Sequence, residues 1–161
     1  MKEAPLIDSR EAFALAVRWG FETAMAHDAR CITCVDPTFE LWPLDDVALL
    51  SSLTAWVRLP QRRLVMLAAR FDEVPRRQPR FTAWRRDWAH AIQALQAPEE
   101  FAAELPTVLL DDRSVSVHLM DPLHGRGRAG VDVRARLLLQ ERIDVVLQRS
   151  EPAFAVDTLG L

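Results

Sequence analysis

Residues 30–37 read RCITCVDP, and this stretch sets the fold class that we predict for the chain. Its first six residues form a β-favouring run that an Asp-Pro pair closes, which is typical of a short buried strand. In the preceding residues 9–27, Phe13, Val17 and Phe21 recur at helical spacing. A helix that leads into a buried strand is the first unit of a layered α/β domain.

The same alternation continues along the chain. We predict helices at 43–58, 79–90 and 134–149, the last burying Leu138, Leu139, Ile143, Val146 and Leu147, and strands at 30–35, 63–68, 91–96, 107–110 and 114–119. The last two strands flank Asp111-Asp112-Arg113, a strong hairpin signal. The prediction is one domain over 1–161: a layered, mostly parallel sheet with helices on both faces and a late β-hairpin. Residues 1–8 are expected to be a disordered arm, and residues 121–133 a mobile loop.

Composition excludes several classes of protein. The net charge is −3, so no overall field draws the chain to nucleic acid or to an anionic membrane. No apolar run approaches the roughly 18 residues of a membrane helix, and the first residues do not form a secretory signal. Lys2 is the only lysine, and Tyr and Asn are absent, which is typical of GC-rich bacterial genomes. We therefore expect a cytoplasmic bacterial protein.

Cys31 and Cys34 form a C-x-x-C pair, which can be a redox pair or half of a metal site. Here the pair lies inside a predicted strand, where positions i and i+3 point to opposite faces. The sulfurs are expected to diverge, and no second cysteine pair or spaced histidine pair completes a zinc site. We predict two buried structural cysteines and no bound metal.

Residues 125–130 read GRGRAG and match the G-x-G-x-x-G pattern of dinucleotide-binding loops. In those loops the pattern starts at a strand end and runs directly into a helix, whereas here other residues intervene on both sides. Dinucleotide binding is the less favoured interpretation. We predict instead a surface loop that meets an anion through Arg126 and Arg128, and no cofactor.

Arg80 and Arg85 lie in a segment where arginines interleave with Phe81, Trp84 and Trp88. That mixture resembles a nucleic-acid surface. The three aromatics share one helical stripe, however, which favours a helix packed on a sheet with a solvated basic face. Arg80 and Arg85 join Arg126 and Arg128 as candidate anion-binding residues. The histidines are scattered and form no catalytic group, so we predict no catalytic residues.

The element order over residues 9–156 resembles one half of a phospholipase D-like domain. The chemistry of that family comes from His-x-Lys-x-x-x-x-Asp. Alignment of its Asp on Asp111 puts Glu104 and Pro106 at the His and Lys positions, and alignment on Asp112 puts Leu105 and Thr107 there. The resemblance therefore implies a degenerate, non-catalytic domain without phosphodiesterase activity. Because family members pair two such halves, it also implies a homodimer.

The leading hypothesis is that this domain acts by binding or assembly. The alternative is a small enzyme or sensor that binds a phosphate-bearing ligand, and a weaker one is a nucleic-acid binder. A polar cleft at the strand ends holding Asp36, Arg70 and Asp72 would favour an enzyme.

Overall fold

The structure is a computed structural model that describes residues 3–154, arranged as helices around one sheet. The helices are α1 (Arg10–Ala26), α2 (Val47–Val57), α3 (Val74–Arg77), α4 (Pro79–Asp87), α5 (Glu99–Ala102) and α6 (Val133–Leu147), with a 3-10 turn at Ala89–Ala91. The strands are β1 (Cys31–Val35), β2 (Arg63–Ala68), β3 (Ile92–Gln96), β4 (Thr107–Asp111), β5 (Val115–Asp121), β6 (Arg126–Val131) and β7 (Glu151–Pro152).

The seven strands form one mixed sheet in the order β6-β5-β4-β1-β2-β3-β7. The α/β class is confirmed, but the prediction of a mostly parallel sheet is wrong. Among the strands of residues 3–154, β1–β2 and β2–β3 pair in parallel, whereas the other four pairings are antiparallel. The reason lies in residues 97–106, because so short a connection leaves no room for the crossover of a dozen or more residues that a parallel neighbour needs. β4 therefore starts at the end of the sheet where the carboxyl end of β3 lies. It then runs antiparallel beside β1.

Helices cover both faces of the sheet, as predicted, but unequally. On the first face, α1, α2 and α4 pack over alternate strand residues such as Ile32 and Met66. On the second face, α6 and α5 cover a smaller core that includes Val65 and Leu110. α6 lies over β4 and β5, so the second face of β1–β3 is partly open beside it.

α1 confirms the predicted stripe. The Ser9 hydroxyl accepts a hydrogen bond from the backbone N–H of Ala12 at 3.0 Å and so caps the first turn. Phe13, Val17 and Phe21 are fully buried under the first face. α2 starts later than predicted, because Asp46 is its cap and accepts from the Ala48 N–H at 2.8 Å.

The prediction of a loop over 121–133 is wrong for residues 126–131. These residues form β6, which pairs antiparallel with β5 from Val115↔Val131 to His118↔Arg128. Two glycines and two arginines among these six residues give the segment a low β propensity, whereas pairing with an existing edge satisfies its backbone groups. The predicted disordered arm is also wrong at Ile7, which is buried and whose carbonyl accepts from the Gly127 N–H at 3.1 Å. Lys2 lies outside the described residues.

Candidate functional site

The carboxyl ends of β1 and β2 do not assemble a polar cleft around Asp36, Arg70 and Asp72. Asp36 Oδ2 accepts from the backbone N–H groups of Thr38 and Phe39, and its Oδ1 accepts from the Thr107 hydroxyl at 2.5 Å. Through these bonds Asp36 links the end of β1 to the start of β4. Arg70 and Asp72 form an exposed ion pair at 3.6 Å. Arg70 and Asp72 line a mainly apolar cleft of about 380 Å³ together with Phe71, and Asp36 is not part of its lining.

The four candidate anion-binding arginines lie apart. Arg126 and Arg128 are on β6, which is one edge of the sheet. The Arg85 guanidinium lies over the ring of Phe154, just beyond β7 at the opposite edge, with 4.5 Å between its carbon and the ring centroid. Arg80 pairs with Asp45 at 3.8 Å. The structure therefore does not bring these four residues together into one site.

Arg85 also differs from the predicted solvated basic face. Arg85 is only 5% exposed, and no carboxylate among residues 3–154 pairs with it. Burial lowers the pKa of its guanidinium, and its Nε has no hydrogen-bond partner within residues 3–154. The aromatic ring of Phe154 supplies a cation–π contact instead. Arg76 and Arg77 follow the prediction, because both face Glu73 at the surface.

A cationic cluster lies on the second face beside α6. His118 of β5 and Arg128 of β6 are register partners. Their neighbours Val117 and Ala129 pack into the first-face core, so His118 and Arg128 point to the second face. Arg142 of α6 lies close enough to His118 that burial first and this charge second lower the pKa of the imidazole. No ion pair joins Arg128 or Arg142 to a carboxylate within the described part of the chain.

A groove of about 370 Å³ separates α6 from the second face of β1–β3. A chain of hydrogen bonds forms its α6 wall: Arg136 Nε donates to the Asp111 carbonyl at 2.7 Å, Arg136 also donates to Gln140, and Gln140 donates to Asp144. Cys31 is half-buried and lines this groove.

Cys34 is buried in the core on the first face, and burial raises the pKa of its thiol. The predicted divergence of the two sulfurs is therefore confirmed. Cys31, being only half-buried, is not the fully buried structural cysteine that the sequence suggested.

A cleft of about 720 Å³ opens between the start of α2 and the start of α4. Two of its acidic residues, Asp45 and Asp46, already serve the fold. Asp46 caps α2 and pairs with Arg18 at 2.7 Å, and Asp45 accepts from two backbone N–H groups of α4. Asp45 and Asp46 thus stabilise the junction between these helices, whereas Glu40, which also lines the cleft, makes no ion pair within residues 3–154.

α6 exposes an apolar ridge on the side away from the sheet. Only Ile143 and Val146 of this helix are buried, with Leu139 and Leu147 partly packed beside them. Leu138, predicted to be buried, is 59% exposed, and Leu137 is 47% exposed. Arg134 and Glu141 flank these leucines. We call Arg134, Leu137, Leu138 and Glu141 the outer ridge of α6.

Within residues 3–154, no group of three or more His, Cys, Asp or Glu side chains is placed to hold a metal ion. No helix in that range is long and apolar enough to cross a membrane. Comparison of the chain with protein-family models, with curated proteins and with solved structures found no match.

Proposed function

We propose that the chain is a non-catalytic α/β domain that acts by self-assembly, as a homodimer. The observation that carries this proposal is the outer ridge of α6. Two large leucine side chains stand exposed side by side on a helix whose ends are anchored in the domain. Exposed apolar residues that cluster, with charges at the rim, are typical of protein interaction surfaces.

The phospholipase D-like layout is part of this proposal. Its support is the order of helices and strands from α1 to the β4–β5 hairpin. The sequence lacks the His and Lys of the family motif in both registers that end at Asp111 or Asp112. Without a nucleophile and a phosphate-holding lysine, the fold would serve as a scaffold. A bacterial cytoplasmic location is proposed too, and the free thiols of Cys31 and Cys34 support it.

The test is sedimentation velocity over a wide range of protein concentration. We expect the mass to rise with concentration from 18.3 kDa toward twice that value. A monomer at every concentration would contradict self-assembly. Incubation with bis(p-nitrophenyl) phosphate tests the other half of the proposal. Release of nitrophenol above the buffer rate, copurifying with the chain, would show that the domain is catalytic.

A second candidate function is the binding of a phosphate-bearing ligand, and the cationic cluster of His118, Arg128 and Arg142 favours it. Two guanidiniums without carboxylate partners in the described range flank a half-buried imidazole. Guanidinium groups are well suited to phosphate oxygens. Of the predicted anion-binding arginines, this cluster contains Arg128 but neither Arg80 nor Arg85. Its other members, His118 and Arg142, are brought to Arg128 by the sheet and by α6.

Titration with adenosine monophosphate or inorganic phosphate, followed by the imidazole NMR signals of His118, tests this candidate. A bound phosphate should move these signals, and the shift should disappear in Arg128→Gln and Arg142→Gln. Arg86→Gln, an exposed arginine on α4, is the matched control and should respond like the parent. Retention on a DNA column that falls with salt would point to a nucleic-acid partner instead.

A further inference from the structure

We infer a specific register for the second copy of the chain. The α6 helices of two copies pair antiparallel about a two-fold axis, with Leu137 against Leu138 of the partner subunit. On either side, Arg134 faces Glu141 of the partner subunit. This inference rests on the self-assembly proposed above and adds to it the residues that meet.

The geometry of α6 places these four residues together. Ile143 is buried against the sheet and marks the inner side of the helix. With 3.6 residues per turn, Arg134, Leu137, Leu138 and Glu141 all lie more than about 100° around the helix from Ile143. They therefore form one continuous strip on the outer side, about two turns long.

The flanks of α6 are already used inside the chain. Arg136, Gln140 and Asp144 form the hydrogen-bonded wall of the groove. Arg142 lies on the other flank, next to His118. Arg134 and Glu141, by contrast, make no ion pair within residues 3–154. The outer ridge is thus the side of α6 whose apolar and charged groups are left for another molecule.

The order of the four residues selects a second copy as that molecule. In an antiparallel two-fold contact centred between Leu137 and Leu138, each leucine meets a leucine and each Arg134 meets a glutamate. The same patch is therefore complementary to itself, as an isologous interface requires.

Other arrangements of two α6 helices are disfavoured by like charges. A parallel arrangement would place Arg134 on Arg134 and Glu141 on Glu141. An antiparallel contact centred on Glu141 would place the two glutamates together. The register centred on the leucines is the one that matches both leucines and both charged residues of the outer ridge, and it leaves Val145, 52% exposed on the same side of α6, outside the contact.

The contact involves little surface. One helix from each copy makes an interface at the small end of the specific range, below about 1,200 Å² in total. We therefore expect a dimer that dissociates on dilution. Salt should weaken it further, because exposed ion pairs are screened.

Charge reversal tests the register directly. Arg134→Glu and Glu141→Arg each turn two attractive pairs into two repulsive ones, so each variant alone should raise the dimer dissociation constant at least about tenfold. Mixing the two variants in equal amounts creates a heterodimer in which both pairs are again opposite in charge. We expect the mixture, and the double variant Arg134→Glu/Glu141→Arg, to dimerise like the parent. Neither result follows from a different register.

Two further variants separate the register from the proposed function. Leu138→Ser should weaken the dimer, whereas Leu15→Ser, at a leucine 57% exposed on α1, should not. Arg134→Glu places an acid in the first turn of α6, which favours the helix, so circular dichroism should show an intact fold. A parent that dimerises while the charge variants and their mixture behave alike would overturn the register alone. A parent that never dimerises would overturn the proposed function as well.

Discussion

Asp45 caps α4, a helix that begins further along the chain at Pro79. Its Oδ1 accepts hydrogen bonds from the backbone N–H groups of Arg80 at 2.7 Å and Phe81 at 3.0 Å. The local cap position of α4 is Gln78, whose side chain makes no capping bond and donates instead to the carbonyls of Phe39 and Trp42. The segment between β1 and α2 thus holds the start of α4 in two ways. The Asp45 carboxylate binds its first N–H groups, and the backbone carbonyls of Phe39 and Trp42 bind the Gln78 side chain.

We expect Asp45→Ala to lower the free energy of unfolding by about 1 kcal/mol, because two helix N–H groups lose their acceptor. Asp45→Asn keeps an acceptor oxygen and should cost less than half as much. Urea unfolding of the two variants measures the difference. Equal losses would mean that the carboxylate acts through its charge near Arg80 rather than as a cap.

Substitution by alanine should destabilise the protein at Gly127 but leave its stability nearly unchanged at Gly130. A Cβ at Gly127 would lie 2.2 Å from the His118 carbonyl oxygen, against backbone that cannot yield cheaply, whereas a Cβ at Gly130 meets nothing within 4 Å. We expect Gly127→Ala to destabilise the protein by about 2–3 kcal/mol and Gly130→Ala to change stability by less than about 0.5 kcal/mol. Thermal unfolding of the pair is the measurement. If both variants were neutral, β6 would not pair with β5 as described.

Arg85→Met should leave the free energy of unfolding within about 1 kcal/mol of the parent. The cation–π contact with Phe154 is worth up to about 2 kcal/mol when desolvated, but its loss is offset by removal of a buried charge that lacks a carboxylate partner in the described range. Arg85→Lys should be the more damaging change, since a strongly hydrated ammonium is then buried without the planar stacking of a guanidinium. Chemical unfolding ranks the two. The reverse order would show that the charge itself is needed.

His118 should make stability depend on pH in the acidic range. Burial and the charge of Arg142 lower its pKa below the ordinary value of 6.5, so the unfolded chain takes up this proton at a higher pH than the folded protein does. Stability is therefore complete above about pH 6.5 and decreases as the pH falls from there toward the lowered pKa. His118→Gln should reduce this decrease.

Arg142→Gln provides the matched experiment on the cause. Removal of the nearby charge should raise the pKa of His118, as followed by NMR titration of the imidazole. Arg134→Gln, on the outer ridge of the same helix, is the control and should leave that titration in place. An identical His118 pKa in all three proteins would contradict the contribution of Arg142.

Local pattern predicted most of the fold correctly where a segment buries one clear face. The stripe Phe13–Val17–Phe21 and the run from Arg63 to Ala68 are found as predicted, because their burial is written in the spacing of apolar residues. β6 escaped prediction because its pairing depends on the free edge of β5, which no feature of residues 126–131 encodes. The direction of β4 was equally hidden, since it depends on the length of a connection rather than on strand composition.

For the candidate surfaces, too, features set by local geometry could be predicted and features set by the pairing of distant segments could not. The divergence of Cys31 and Cys34 was predictable from strand geometry alone. The cationic cluster was not, because His118, Arg128 and Arg142 come together only through the register of β5 with β6 and the placement of α6. Leu138 was assigned to the buried side because apolar residues occupy most of the circumference of α6. α6 contains more leucines than one buried side needs, and this excess indicated a second, exposed apolar side.

The link between Ile7 and Gly127 bears on how the chain folds as it is synthesised. α1 precedes the strands in the chain, yet it packs against β4, β5 and β6, and the segment before it joins the edge of β6. During synthesis α1 therefore leaves the ribosome before its partner strands, which lie about 100 residues later in the chain, and such long-range contacts form slowly. Until then its apolar stripe stays unprotected, which is the situation that recruits chaperones to nascent chains. A ribosome-bound chain stopped before residue 107 should lack the protease resistance of the complete domain, and one that includes β6 should gain it in a single step.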